Sequence, residues 1–304
     1  MRVGVAGIGT MGLPIAHRLL RAQVPLWVWN RHADKCAPLA AAGACVAQDL
    51  DALFHAANLI MLVVLNEAAV DAVLGRGQFD FAERVGERTI VQLGTIDPEF
   101  SRALGADILA AGGRYVEAPV SGSRIPAEQG RLLGMLAGEA DDIAQVAPLL
   151  VTFCERTFVC GAVPAALRMK LAVNHYLIGM VSVLAETVHA ARAAGVDVAL
   201  LRRILDAGAM ASDVSRGKLH KLVVGDYSAQ ASVGDVHAIA KHIARQCRRA
   251  EAYAPLIAQC CALYALAERH ALGASDMAAV IEAFDIQRQN LSQPTALAST
   301  GARA

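Results

Sequence analysis

The chain has 304 residues, with 28 Lys plus Arg against 28 Asp plus Glu. That length suits about two domains, and the charge balance lacks the basic excess that neutralises a phosphate backbone, which excludes nucleic acid as the main partner. A hydrophobic fraction of 55% and a mean hydropathy of +0.40 raise the question of a membrane. The charge-free run Leu171–Ala185 contains Asn174, His175 and Ser182 and falls short of the ~20 apolar residues of a bilayer span. It is expected to be a helix buried between protein layers, with no membrane partner.

The opening MRVGVAGIG reaches glycine at once and lacks the continuous apolar segment of a signal peptide. The expectation is a cytoplasmic protein that keeps its first residues. Seven scattered cysteines form no C-x-x-C pair, which fits reduced thiols. His237 and His242 are five apart, off the i,i+4 spacing that sets two ligands on one helical face. No metal site is expected.

Short apolar runs and Ala-rich stretches alternate through the first half. Strands are predicted at Arg2–Ala6, Leu26–Trp29, Leu59–Leu65, Thr89–Leu93, Arg114–Glu117, Leu132–Ala137 and Thr157–Cys160, since continuous apolar runs of this length suit strands covered on both faces. Helices are predicted at Met11–Gln23, Arg31–Ala42, Pro98–Ala111 and Asp141–Leu150. This βαβ series reads as an α/β Rossmann domain with a doubly wound, mostly parallel sheet over residues 1–163. From about Pro164 strand signals stop, so 164–290 is read as an all-α domain. It begins with a long interdomain helix running to Ala194, closed by Gly195 and roughly 45 Å long at 1.5 Å per residue. Residues 291–304 read as a flexible tail.

Gly7-Ile8-Gly9-Thr10-Met11-Gly12 is G-x-G-x-x-G between a strand and a helix. The first glycine permits the tight turn, the second lets backbone approach a pyrophosphate, and the third allows close helix packing against the loop. The helix N-terminus adds free N–H groups and a positive dipole end. The second strand ends in Asn30-Arg31, with no carboxylate where one would accept from a ribose 2′-hydroxyl. Arg31, with His32 and Lys35 nearby, suits a 2′-phosphate, so NADP(H) is expected over NAD(H).

The block Glu117-Ala118-Pro119-Val120-Ser121-Gly122-Ser123 follows a strand at the carboxyl edge of the sheet. Its Ser-Gly turn is either a carboxylate cradle or simply a turn. Lys170 and Asn174, at i and i+4 on the long helix, share one face amid apolar residues. Such a lysine either snorkels to solvent or takes part in chemistry.

In this order and spacing the glycine loop, Asn30-Arg31, Glu117–Gly122, and Gly161 with Lys170 and Asn174 resemble the β-hydroxyacid dehydrogenase family, across nearly the whole chain. EAPVSGSRIPAEQGRL is similar to its glyoxylate/succinic semialdehyde reductases. The resemblance implies hydride transfer between a nicotinamide and a short β-hydroxy acid or aldehyde acid. It implies Lys170 as the catalytic lysine, Asn174 beside it, and Ser121, Gly122 and Ser123 on the substrate carboxylate. Gly7–Gly12, Asn30, Arg31, Val64, Leu65 and Thr95 would contact the cofactor. Three departures stand out: Gly94-Thr95 where the family has Ser-Thr, Gly122-Ser123 where a glycine pair is common, and Ala238 and Ile239 where a second lysine is followed by aspartate. Lys241, one helical turn later, is the candidate counterpart. An imine reductase and a non-catalytic NADP-binding sensor are the alternatives. The apolar long helix predicts a homodimer or homotetramer.

Overall fold

The computed structural model describes residues 1–292, and contacts divide the chain into two units, Met1–Asn174 and the part from His175 on. The first unit holds a nine-stranded sheet among the described residues. Its strands are β1 (Val3–Ala6), β2 (Leu26–Trp29), β3 (Cys45–Val46), β4 (Leu59–Leu62), β5 (Thr89–Gln92), β6 (Arg114–Glu117), β7 (Val120–Ser121), β8 (Leu132–Ala137) and β9 (Cys154–Gly161). The helices are α1 (Gly12–Arg21), α2 (Ala37–Ala41), α3 (Leu50–Ala56), α4 (Glu67–Leu74), α5 (Phe81–Val85), α6 (Pro98–Ala110), α7 (Arg124–Gln129), α8 (Ala140–Leu150) and the start of α9 (Ala165–Ala193).

The order β3-β2-β1-β4-β5-β6 is parallel throughout, as buried V/I/L-rich strands dictate. Strand order reverses between β1 and β4, which are in register from Val3↔Leu59 to Ala6↔Leu62. A ligand crevice therefore opens past Ala6 and Leu62. Leu59, Ile60, Met61 and Leu62 are all at most 1% exposed, each contributing roughly 1.5–3 kcal/mol on burial. β8 runs antiparallel to β6 and β7, and β9 runs parallel to β8.

Several elements differ from the sequence expectation. The helix expected over Arg31–Ala42 breaks into a 3₁₀ turn at Ala33–Cys36 and α2, because Pro38 is tolerated only in a first helical turn. The strand expected to run to Leu65 ends at Leu62, and Leu65 is 78% exposed. The strand expected at Thr157–Cys160 is longer, Cys154–Gly161. β3, β7, α3, α4, α5 and α7 were not anticipated.

α9 crosses the division between the units as one helix of 29 residues. Gly195 follows with φ +72°, and Val196 N–H donates to Ala191 O at 2.9 Å, the hydrogen bond of a Schellman stop. By length and composition this helix suffices for a membrane span, at a mean hydropathy of 1.4, which corrects the count of charge-free residues. Its apolarity has a structural use: Leu167, Leu171, Ile178, Val181, Ala185 and Val188 form a buried stripe at helical spacing. Burial between layers is partial, because Tyr176 and Val183 are 76% and 58% exposed.

The second unit is helical: the rest of α9, α10 (Val198–Ala207), α11 (Asp213–Val224), α12 (Val233–Arg249), α13 (Pro255–Ala267) and α14 (Ile281–Ser292). Its core contains an ion pair unforeseen from sequence. Lys218 Nζ lies 2.7 Å from Asp276 Oδ1, and Asp276, fully buried, also accepts from Gln230, Ala231 and Ala278 N–H. Lys221 donates to Ser228 O and Oγ. Both lysines thus tie down the segment between α11 and α12. The helix reaches Ser292, and the rest of the expected tail lies outside the described residues.

Candidate active site

The glycine loop leaves β1 and enters α1 against the end of β4. At Gly7, φ is +105° and a Cβ would meet Val63 O at 2.3 Å, while at Gly12 it would meet Gly7 O at 1.9 Å. Both positions need glycine for steric reasons. At Gly9 nothing stands within 4 Å of a Cβ, so the open side of the loop faces solvent where a pyrophosphate would lie. Met11, the N-cap of α1, supplies no side-chain cap, which leaves N–H groups for an anion. These features fit a dinucleotide. Thr10 is exposed, whereas the Ile8 side chain is buried in the core.

Asn30 has a structural task at this turn. Its Oδ1 accepts from Ile8 N–H at 2.9 Å and its Nδ2 donates to His32 O at 2.9 Å, so it fixes the glycine loop to the end of β2. Arg31, His32 and Lys35 are exposed there. Farther along the sheet edge, a Cβ on Gly94 would meet Val64 O at 2.4 Å and Gln92 Nε2 at 3.0 Å. The serine that the family carries at this position has no room here. Val64 and Thr95 are half-buried and Leu65 is exposed, all beside this edge.

Ser121 closes β7, paired with Leu133, and is half-buried. Gly122 has φ +129°, and a Cβ would meet Leu132 Cδ2 at 2.6 Å, so this turn also requires glycine. Ser123 is the N-cap of α7 without using its side chain as a cap. Lys170 and Asn174 are only 7% and 4% exposed, which removes the snorkelling reading. Neither side chain makes a hydrogen bond or ion pair with another described residue. Burial pushes the Lys170 ammonium down to about 8, since no counter-charge offsets desolvation.

The residue sequence reasoning undervalued is Glu117. It is fully buried; its Oε1 accepts from Ser101 Oγ at 2.6 Å, and its Oε2 accepts from Ala166 and Leu167 N–H at 3.1 Å each. Burial pushes its carboxyl up to about 7, against the lowering by Ser101, by the two N–H groups and by Arg168. An acidic residue four positions ahead of the Ser-Gly turn was the available signal. The structure therefore ties the Glu117–Ser123 block to the first turn of the helix that carries Lys170. Lys241 belongs to the other unit, exposed on α12 and within electrostatic reach of Cys261 on α13.

Residues 2–161 match the family described as NAD binding domain of 6-phosphogluconate dehydrogenase, and residues 165–284 the one described as NAD-binding of NADP-dependent 3-hydroxyisobutyrate dehydrogenase. The chain belongs to the β-hydroxyacid dehydrogenase family and is an NAD(P)-dependent hydroxyacid dehydrogenase. It is similar to two proteins of Arabidopsis thaliana. Glyoxylate/succinic semialdehyde reductase 1 is 32% identical over 220 residues, 72% of this chain and 75% of the relative. The chloroplastic glyoxylate/succinic semialdehyde reductase 2 is 29% identical over 289 residues, 92% and 78%. The fold matches 3-hydroxyisobutyrate dehydrogenase from Salmonella typhimurium with a TM-score of 0.84 at 24% identity, covering 93% of this chain and 99% of that one. An imine reductase from Pseudomonas sp. gives 0.60 at 25% identity over 93% and 99%, so the imine reading is not favoured.

Proposed function

We propose that the protein is an NADPH-dependent cytoplasmic reductase of short aldehyde or keto acids, of the glyoxylate, succinic semialdehyde, tartronate semialdehyde or 3-hydroxyisobutyrate class, with Lys170 as general acid. The observation that carries this reading is a buried lysine whose side chain has no hydrogen-bond or ion-pair partner among the described residues. An uncompensated ammonium is costly to bury, and a substrate oxygen gaining negative charge is the partner it lacks.

A bound reduced nicotinamide supplies hydride to the carbonyl carbon. Lys170 Nζ hydrogen-bonds the carbonyl oxygen as its charge grows, then gives it a proton, leaving the hydroxy acid and a neutral amine. In the oxidative direction the neutral amine takes the hydroxyl proton. Asn174, one turn on, orients the lysine or the substrate oxygen. Ser121 Oγ, Gly122 N–H and Ser123 Oγ supply donors for the substrate carboxylate. Arg31, with His32 and Lys35, binds the 2′-phosphate of the cofactor, and Gly7–Gly12 cradle its pyrophosphate. Lys241 is the stand-in for the second lysine of the family.

The experiment is NADPH oxidation followed at 340 nm against glyoxylate, succinic semialdehyde, tartronate semialdehyde and methylmalonate semialdehyde, with a cyclic imine and NADH as controls. Turnover of at least one acid, faster than the imine and faster with NADPH than with NADH, is expected. Turnover of the imine alone, or tight NADPH binding with none, overturns the proposal.

We also assign a homodimer or homotetramer. Leu200 and Ile204, one turn apart on α10, are 48% and 61% exposed, and α10 buries no residue. A second copy of the chain is the proposed cover. Light scattering at micromolar concentration is expected to give at least twice the chain mass of 31.9 kDa, and a monomer overturns the assignment.

A further inference from the structure

Lys170 is held by backbone as much as by its own packing. Its N–H belongs to the turn of α9 that begins at Ala166, and the N–H groups of Ala166 and Leu167 have no carbonyl partner inside the helix because they lie in its first turn. Glu117 Oε2 takes both of them at 3.1 Å, from a strand 49 and 50 residues away in sequence. The other oxygen is anchored from behind: Ser101 Oγ donates to Oε1 at 2.6 Å, and the Tyr115 hydroxyl lies 2.7 Å from Ser101 Oγ. Ser101 and Gly105 are one turn apart on α6, and a Cβ on Gly105 would meet the Tyr115 ring at 2.8 Å, so α6 is shaped to seat this chain of groups. All three polar residues are at most 3% exposed.

We propose that Glu117 is a positioning residue for Lys170, its carboxylate closing the first turn of α9 so that the ammonium one turn later is presented to the substrate oxygen. This rests on the reading of Lys170 as the general acid. Three donors converge on the two oxygens of Glu117, and the ionised form accepts all of them at once. A protonated carboxyl turns one acceptor into a donor and loosens the arrangement. The charged and titratable groups facing Glu117 are Arg168 on α9, Tyr115 on its own strand and Cys160 on β9. Arg168 favours the anion, but it is 55% exposed and paired with Glu99 at 2.8 Å, so its influence is screened. Burial dominates, and the carboxylate is lost as pH falls through about 7.

The test uses the full-length enzyme and three readouts: kcat for reduction from pH 5.5 to 9, NADPH affinity by fluorescence, and amide hydrogen exchange over residues 162–171. Glu117→Ala is expected to lower kcat about 10- to 100-fold, with NADPH affinity within about twofold and exchange accelerated in the first turn of α9. Wild-type kcat falls as pH drops through about 7. Glu117→Gln is expected to flatten that acidic limb, and Ser101→Ala, which removes one donor, to move it to higher pH. Glu117→Asp restores part of the Ala loss. If Glu117→Ala does not fold, the Gln and Ser101→Ala profiles decide the question. Wild-type kcat and exchange in Glu117→Ala, or an acidic limb retained in Glu117→Gln, overturn the positioning role. If Lys170→Ala is inactive in that case, only the role of Glu117 falls; if Lys170→Ala is also fully active, the general-acid reading falls with it.

Discussion

Lys170→Ala is expected to lower turnover by about 10² or more, the usual contribution of a positioned general acid, with NADPH affinity near wild type. Lys170→Met keeps most of the volume and removes the charge, and its effect on stability has the opposite sign. Burial depresses the folded-state value from 10.5 to about 8, so between those values the unfolded chain binds more protons than the folded one. Stability of the wild type therefore rises with pH across that window, and at pH 7 the ammonium opposes folding. Removing it is expected to raise stability by about 1 to 3 kcal/mol at pH 7, measured by denaturant unfolding. In its proposed role as general acid the same lysine is expected to set an alkaline limb, with kcat/KM for reduction declining as pH rises through about 8 in the wild type and that limb lost in the variant. A Lys170→Ala enzyme with near wild-type turnover and an unchanged alkaline limb removes this residue from the chemistry.

The catalytic role proposed for Lys170 came from the family resemblance, and the residues alone left snorkelling open; what the sequence did mark is the exception itself. A lysine at i with asparagine at i+4 on an apolar helix contradicts the local rule that such positions hold hydrocarbon, and contradictions of this kind collect at functional sites. The glycine loop was legible for another reason. Gly7 and Gly12 face backbone oxygens at 2.3 and 1.9 Å from a would-be Cβ, so no other residue fits. Five of the six parallel strands were legible because a strand buried on both faces is apolar at every position, as in Leu59–Leu62; β3, two exposed residues, carried no such signal.

What escaped depends on partners distant in sequence or on signals too short for periodicity. Glu117 looks like one letter of a turn motif until α9 is laid against β6. Nothing in the local sequence says that its acceptors meet Ala166 and Leu167. Likewise only the fold shows that Asn30 accepts from Ile8 N–H and so ties the glycine loop to β2. The short helices α3 and α4 offered cap signals that a search for longer periods passed over: Asp49 accepts from Ala52 N–H, and Asn66 accepts from Ala69 N–H. Pro38 and the 3₁₀ turn before it were the matching signal against one continuous helix at Arg31–Ala42.

Arg31→Asp is expected to reverse the coenzyme preference. The site is an exposed turn after β2 whose backbone is fixed by Asn30 through hydrogen bonds on both sides, to Ile8 and His32, so a substitution at the next residue changes the side chain presented without moving the loop. Arginine offers a planar fork to a 2′-phosphate, and a charge-assisted pair of this kind contributes about 1.5–3 kcal/mol. Aspartate removes that contact, repels the phosphate, and accepts from the ribose 2′-hydroxyl of NADH. The kcat/KM with NADPH is expected to fall by about 10² or more, and that with NADH to rise by a smaller factor, bringing their ratio below one. His32 and Lys35 retain part of the phosphate affinity, so Arg31→Asp with Lys35→Ala should fall further than Arg31→Asp alone. Because Arg31 lies at the surface, raising ionic strength from about 0.05 to 0.5 M should weaken the proposed preference for NADPH while leaving kcat/KM with NADH nearly constant. An unaltered ratio in Arg31→Asp would place recognition of the phosphate on another part of the crevice.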